Sequence, residues 1–364
     1  MTLVIVLAGL FYVAWRIDGI LPLSRLVKVV LLSVYGLAAV SLVLTVTKVI
    51  DYLPMTVASA MYVLGNSWLI FMIYALILFG LMDILRLMNL LPPKLLKNSV
   101  AGSVFVLGLT AIVMTYGAIN YRHKYREEIT IASSKIEKPL KVVLLSDLHA
   151  GYHNRYRDIR HWVDIVNGEN PDLILLGGDL IDRSLRAVTA DHDASALKHF
   201  KAPVYSCLGN HEYYAGVEES CAFYRTAGIT LLKDSLASVC GITVIGRDDK
   251  SNEERKALYK LVKKVPRGQF VLLLDHQPND LLEAQLSGVD FQFSGHTHNG
   301  QVWPVSLLVF IENELAHGYL QKGNTRYYVS SGMGIWGGKF RIGTRSEYLV
   351  LNLVPETVAT TPQN

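Results

Sequence analysis

Cysteine is scarce in this 364-residue chain: Cys207, Cys221 and Cys240 are the only three. An odd, sparse set with no C-x-x-C spacing excludes a disulfide framework and a zinc-ribbon site, and small buried thiols are the expectation. Charge is the second shortage. The first 120 residues hold seven basic side chains (Arg16, Arg25, Lys28, Lys48, Arg86, Lys94, Lys97) and three acidic ones (Asp18, Asp51, Asp83). The remaining 244 residues carry 28 of each sign, so the excess of +4 belongs to the apolar third. A basic face for nucleic acid is therefore excluded. The run near Arg255–Arg267 reads as a solvated helix face. Paired polar residues in mid-span are also missing, with Asp83 and Arg86 placed at a helix end as caps, so a transporter core is not expected.

What fills the first third is apolar sequence. Four runs stand out: Leu3–Trp15, Leu26–Val49, Ser67–Leu90 and Val100–Asn120. A helix crossing a bilayer needs about 20 apolar residues, and the last three meet that length. The first is short and flanked by Arg16 and Asp18. Asp51–Gly65 is too polar and broken for a span, and reads as a loop or an interfacial helix over Met55–Leu64. The region predicts about four spanning helices. Basic residues cluster in the first and third connections, which places those connections in the cytoplasm. The soluble part then lies outside the cytoplasm, against the local signal of Arg122, Lys124 and Arg126, because long domains translocate largely regardless of charge.

From residue 121 the pattern changes. Residues 121–140 read as a charged juxtamembrane link with a short edge strand at Ile129–Ala132. Lys141–Leu145, Leu173–Leu176, Val204–Cys207, Gln269–Leu274 and Asp290–Phe293 are apolar runs of strand length. Helical patterns separate them at Arg155–Gly168, Ala194–Phe200, Val217–Ala227, Glu253–Val265 and Asp280–Leu286. Leu307–Ile311, Leu315–Gln321, Arg326–Ser330 and Glu347–Leu353 follow as strands without helices between them. This is the signature of an α/β domain with helix-capped sheets. Each of the five runs ends in potential metal ligands: SDLH (Asp147, His149), GGD (Asp179), GNHE (Asn210, His211), DH (His276) and FSGHTH (His296, His298). Ligands on loops beyond strand carboxyl ends are where α/β sheets gather function. A lone histidine there is more often structural, and it is the set that points to a metal.

The order D-x-H, GD, GNH, H, GHxH resembles the calcineurin-like metallophosphoesterase superfamily, and SDLH, GDLID, GNHEYY, DHQP, GHTHNGQ and SSGMGIWGGKFR resemble its membrane-attached branch. The resemblance covers roughly Lys141–Leu353. It implies an α/β metallophosphoesterase-type β-sandwich flanked by helices (α/β/β/α), here preceded by the all-α transmembrane region. The expected division is 1–120 transmembrane, 121–140 linker, 141–354 catalytic and 355–364 tail. The resemblance also implies two divalent ions of the Mn, Fe, Zn or Ni type, with Mn weakly favoured. One would take Asp147, His149, Asp179 and His298; the other would take Asp179, Asn210, His276 and His296. A hydroxide shared by the ions would attack phosphorus, His211 would protonate the leaving oxygen, Asp182 would orient His211 and Arg183 would hold phosphate. The branch suggests a lipid-linked or cell-envelope phosphoester, at a cell membrane the chain crosses several times. A hydrolase of soluble nucleotides and a non-catalytic metal-binding scaffold are the alternatives. Membrane lipids are the expected surroundings, with no nucleic-acid or protein partner. His153 and His317, Tyr213 and Tyr214, and Trp336 are further residues near the motifs.

Overall fold

The computed structural model describes residues 2–356. The expected tail therefore lies outside the described residues from position 357 on. The chain divides into two compact units: 1–121 together with 337–342, and 122–336 together with 343–364.

The first unit is helical. Helix α1 spans Thr2–Ile20, α2 Arg25–Val46, α3 Met55–Leu87 and α4 Val100–Arg122. Three of these, α2, α3 and α4, are long and apolar enough to cross a membrane. Their packing uses close backbone approach: a Cβ on Gly65 of α3 would lie 2.5 Å from the Leu42 backbone nitrogen of α2. Asp51–Gly65 is not an isolated interfacial segment, because Met55 begins a helix that continues unbroken for 33 residues. Its few polar side chains are absorbed by packing, as Asn66 shows by donating to the Tyr62 carbonyl. Asp83 does not act as a cap. It pairs with buried Arg16 at 3.3 Å and accepts from Tyr12. The excursion Gly337–Ile342 belongs to this unit: Gly337 N–H donates to the Tyr62 hydroxyl and Arg341 N–H to the Gly117 carbonyl.

The second unit contains two six-stranded sheets. The strands are β1 Lys124–Ser133, β2 Leu140–Leu145, β3 Leu173–Leu176, β4 Val204–Ser206, β5 Thr230–Leu231, β6 Ser235–Val239, β7 Ile242–Gly246, β8 Phe270–Leu274, β9 Phe291–Ser294, β10 Gly318–Lys322, β11 Thr325–Val329 and β12 Ser346–Pro355. One sheet runs β1-β12-β2-β3-β4-β5 and the other β10-β11-β9-β8-β7-β6. In each, the strands that precede the motifs are parallel neighbours, β2-β3-β4 in the first and β7-β8-β9 in the second. Their short all-apolar sequences, such as Leu173–Leu176 and Phe270–Leu274, are buried along their whole length, as strands covered on both faces require. Leu144, Leu175, Leu272, Phe291, Phe293 and Leu351 share one core cluster drawn from both sheets. Helix α5, Tyr156–Gly168, buries Ile159, Trp162, Val163 and Val166, and Leu258–Val262 and Leu281–Ser287 cover the far face of the second sheet.

Residues 121–140 are more ordered than a link. They hold all of β1, which pairs along ten residues with β12 and sits at the sheet edge. The helix expected at Glu253–Val265 is confined to Leu258–Val262. The strand expected at Leu307–Ile311 is a helix, α7, spanning Val305–Glu312 (α6, Asn210–Ala215, precedes it). A continuous apolar run carries no periodicity that separates the two.

Candidate metal centre

Parallel strands aim their carboxyl ends one way, so the loops after β2, β3, β4, β8 and β9 meet. Backbone bonds knit them together. Asp147 N–H donates to the Gly178 carbonyl at 3.1 Å, His149 N–H to Asp179 at 3.0 Å and Gly295 N–H to His276 at 2.9 Å. Five of the seven expected ligands, Asp147, His149, Asp179, His296 and His298, have φ between 46° and 69°. Left-handed backbone is uncommon outside glycine, and its concentration here marks side chains held in place by their loops. Two glycines are required by close approach. A Cβ at Gly209 would lie 2.1 Å from Asp179 Oδ1, and one at Gly295 would lie 2.2 Å from Asp147 Oδ2.

The expected ligands fall into neighbouring groups. Asp147, His149 and His298 converge, as do Asp179, His276 and His296. In the first group, His149 Nε2 and His298 Nε2 stand 3.0 Å apart, and Asp147 Oδ1 is 3.4 Å from the latter. In the second, His276 Nε2 is 3.1 Å from Asp179 Oδ2 while its Nδ1 hydrogen bonds the Gly177 carbonyl. The Asn210 amide oxygen is 2.8 Å from His296 Nδ1, adding the seventh residue. Asp179 Oδ2 is also 3.7 Å from His149 Nε2, so one carboxylate faces both groups.

The electrostatics favour cations. Burial pushes carboxyls up and imidazoles down, and here the facing opposite charges outweigh it. His298, His149 and His276 hold Asp147 below the usual carboxylate range, and His276, His211 and His149 do the same for Asp179. Asp147, Asp182 and Asp179 lift His149 to about 10, and Asp179 lifts His276 well above its ordinary value. His296 is lowered, by burial and by the charge of His276. Imidazoles held protonated by facing carboxylates give up those protons to a binding metal ion. Buried carboxylate, imidazole and amide oxygens turned toward one another suit divalent ions.

His211 sits at the rim of this set. Its N–H donates to Asp179 Oδ1 at 2.9 Å, its Nδ1 donates to the Asp182 carbonyl, and its Nε2 is 4.0 Å from Asp179 Oδ2. The Asp182 carboxylate lies 3.5 Å from His211 Nδ1 and 3.6 Å from His149 Nδ1. Arg183 follows, half-buried. Of the other residues near the motifs, His153 is buried on the Ile335 carbonyl at 2.7 Å. Tyr213 donates to Asp248 at 2.7 Å, the Tyr214 ring lies tilted against His211 with centroids 5.1 Å apart, and Trp336 is exposed. His123, His161, His192 and His199 are on the surface.

Two residues escaped the sequence reading. Glu212 is wholly buried and accepts from Gly209 N at 2.7 Å, Ile181 N at 3.0 Å and Asp179 N at 3.1 Å. Burial raises its carboxyl to about 7. Its position three residues after the cap Gly209 is the capping-box spacing, a signal that was present in the sequence. Glu347 had no such signal. It is buried and accepts from His317 at 3.0 Å, Tyr328 at 3.1 Å and Ser331 N at 3.1 Å. Next to Ser331, a Cβ on Gly332 would come 2.8 Å from Asp147 Cβ. Glu347 therefore braces the wall behind Asp147.

Known proteins resemble the chain over the same region. A family model, calcineurin-like phosphoesterase, matches residues 140–300. An uncharacterized metallophosphoesterase of Helicobacter pylori is 34% identical over 64% of this chain, and the match covers 65% of its own length. One from Campylobacter jejuni is 31% identical over 70% of this chain and 71% of its own. A transmembrane protein with metallophosphoesterase domain from Danio rerio is 30% identical over 71% of this chain and 63% of its own. The chain thus spans about two thirds of the length of these relatives, and the family model's residues 140–300 hold all seven expected ligands. By that likeness the chain belongs to the calcineurin-like metallophosphoesterases.

Proposed function

We propose that the chain is a membrane-anchored phosphoesterase that uses two divalent ions to hydrolyse a phosphate ester, diester or pyrophosphate. The observation that carries this reading is the Asp179 carboxylate. It faces His276 at 3.1 Å and His149 at 3.7 Å, between two groups that each supply further ligands. Asp147, His149 and His298 would hold one ion, and Asn210, His276 and His296 the other. Ions of the Mn, Fe, Zn or Ni class suit such mixed donors, and when bound they supply Lewis acidity toward the phosphoryl group and a more acidic water. His211 would deliver the proton to the leaving oxygen. Because Nδ1–H is committed to the Asp182 carbonyl, the donating form is the imidazolium, with Nε2–H turned to the site. Asp182 would fix that ring's orientation, and Arg183 would hold a phosphate oxygen through its planar fork.

Three helices of bilayer length, with Arg25 and Lys28 in the first turn of α2, Arg86 in the last turn of α3, and Lys94 and Lys97 between α3 and α4, favour an anchored enzyme whose catalytic unit lies outside the cytoplasm. Such an anchor raises the effective concentration of a lipid-linked substrate. The test is hydrolysis of bis(p-nitrophenyl) phosphate by the purified full chain in detergent, compared with Asp179→Asn and His211→Ala. Metal-dependent activity lost in both variants is expected. Undiminished activity in either removes that residue from the mechanism. Comparing a lipid-linked pyrophosphate with a soluble nucleotide then separates the two substrate classes.

A further inference from the structure

Helix α7 begins seven residues after His298, and it is apolar without being buried. Of its sequence VSLLVFIE, Leu307 is 53% exposed, Leu308 60%, Phe310 73% and Ile311 78%, and Trp303 just before it is 47% exposed. No residue of the helix is buried. Only Val305, Ser306 and Val309 are half-covered. Contiguous exposed apolar surface of this kind, on the order of a few hundred Å², marks an interaction site. The helix is nonetheless firmly seated at its start. Ser306 N–H donates to the Val302 carbonyl at 3.2 Å, and a Cβ on Gly300 would lie 2.5 Å from Ser306 Cα.

We propose that α7 docks on a lipid bilayer, inserting Leu307, Leu308, Phe310 and Ile311 among the acyl chains near the headgroups. This deepens the membrane-anchored reading and rests on it. Three features select a bilayer over a protein partner. The same chain carries three helices of membrane-spanning length. The chain passes from a helix of spanning length into the second unit through a single residue, His123, between α4 and β1. The flanking aromatic residues, Trp303 and exposed Trp336, have the apolar body and polar tip that concentrate at membrane interfaces. The consequence for the site is direct: His296 and His298 would be held at headgroup depth, where a lipid phosphoester presents its phosphorus.

The test uses the full chain in nanodiscs of phosphatidylethanolamine and phosphatidylglycerol. Single cysteines replace Leu308, Tyr259 or Leu37 in a Cys221→Ser/Cys240→Ser background and carry an environment-sensitive dye, with nitroxide-labelled lipids as quencher. Leu37, on α2, reports the spanning helices, and Tyr259 reports an exposed position on the helix Leu258–Val262. Blue-shifted, lipid-quenched emission at Leu308 and Leu37 but not at Tyr259 is the expected result. Quenching at Leu37 with water-like emission at Leu308 overturns the docking of α7 and leaves the anchor standing. Emission at Leu308 that is blue-shifted but unquenched by lipid also overturns it, in favour of a second copy or another protein. Quenching at neither Leu308 nor Leu37 overturns the anchored reading, and the docking with it.

Discussion

His211 has two neighbours that decide what it can do: the Asp182 carbonyl on Nδ1 and the Asp179 carboxylate, 4.0 Å from Nε2. If it donates the leaving-group proton, His211→Ala should lower kcat by about 10²- to 10⁴-fold on a diester with an alkyl leaving group. The loss should be much smaller with p-nitrophenolate, which departs without help, while bound metal is unchanged. Equal losses on both substrates in steady-state kinetics would deny it that role. Asp193 makes a different kind of prediction. It is fully buried, both its oxygens lack hydrogen bonds, and burial together with the charge of Asp191 raises its carboxyl to about 8. The unfolded chain releases that proton near pH 4 (about 3.9). Between the two values the folded state binds more protons, so stability falls as pH rises through that window. Asp193→Asn should therefore raise the thermal midpoint above pH 8 and have little effect near about pH 4. A benefit that does not grow with pH would contradict this. The seven candidate ligands that the structure brings together were legible in the sequence because each is local, a few residues past an apolar run. Glu347 was not, because its partners His317, Tyr328 and Ser331 come together only through the packing of β11 and β12.

At the scale of elements, the site is a set of loops whose shape is fixed from beneath. Glu212 joins three backbone N–H groups from two of those loops. Glu212→Ala would leave these donors buried and unpaired, at about 1–3 kcal/mol for each lost bond, and should weaken metal retention although Glu212 is no ligand. Dialysis against a weak chelator, followed by metal analysis, measures that directly. Gly295→Ala should be harsher for a steric reason, since its methyl group would overlap the Asp147 carboxylate. Strands were read well where a short apolar run ended in glycine and a candidate ligand, as in β3 and β9. Helix α7 was read as a strand because an unbroken apolar run fits either conformation, and only its exposure shows that it serves a surface. The continuity of α3 was hidden for the opposite reason. Its first turns carry Thr56 and Ser59, so the stretch reads as a loop or a separate interfacial helix and instead begins a 33-residue helix.

For the whole molecule, the two compositional halves of the sequence foreshadow the two units, but the boundary is not a single cut. Gly337–Ile342 returns to the helical unit through bonds to Tyr62, Gly117 and Asn120. Such a return depends on tertiary hydrogen bonds between residues more than 200 apart, which no local pattern encodes. The central claim for the molecule remains that Asp179 serves two ions. Elemental analysis of the purified full chain, reconstituted with Mn and freed of excess, tests it most directly. The account predicts about two ions per chain, falling below one in Asp179→Asn. A wild-type chain that retains no more than one ion, or an Asp179→Asn variant that retains two, would contradict it.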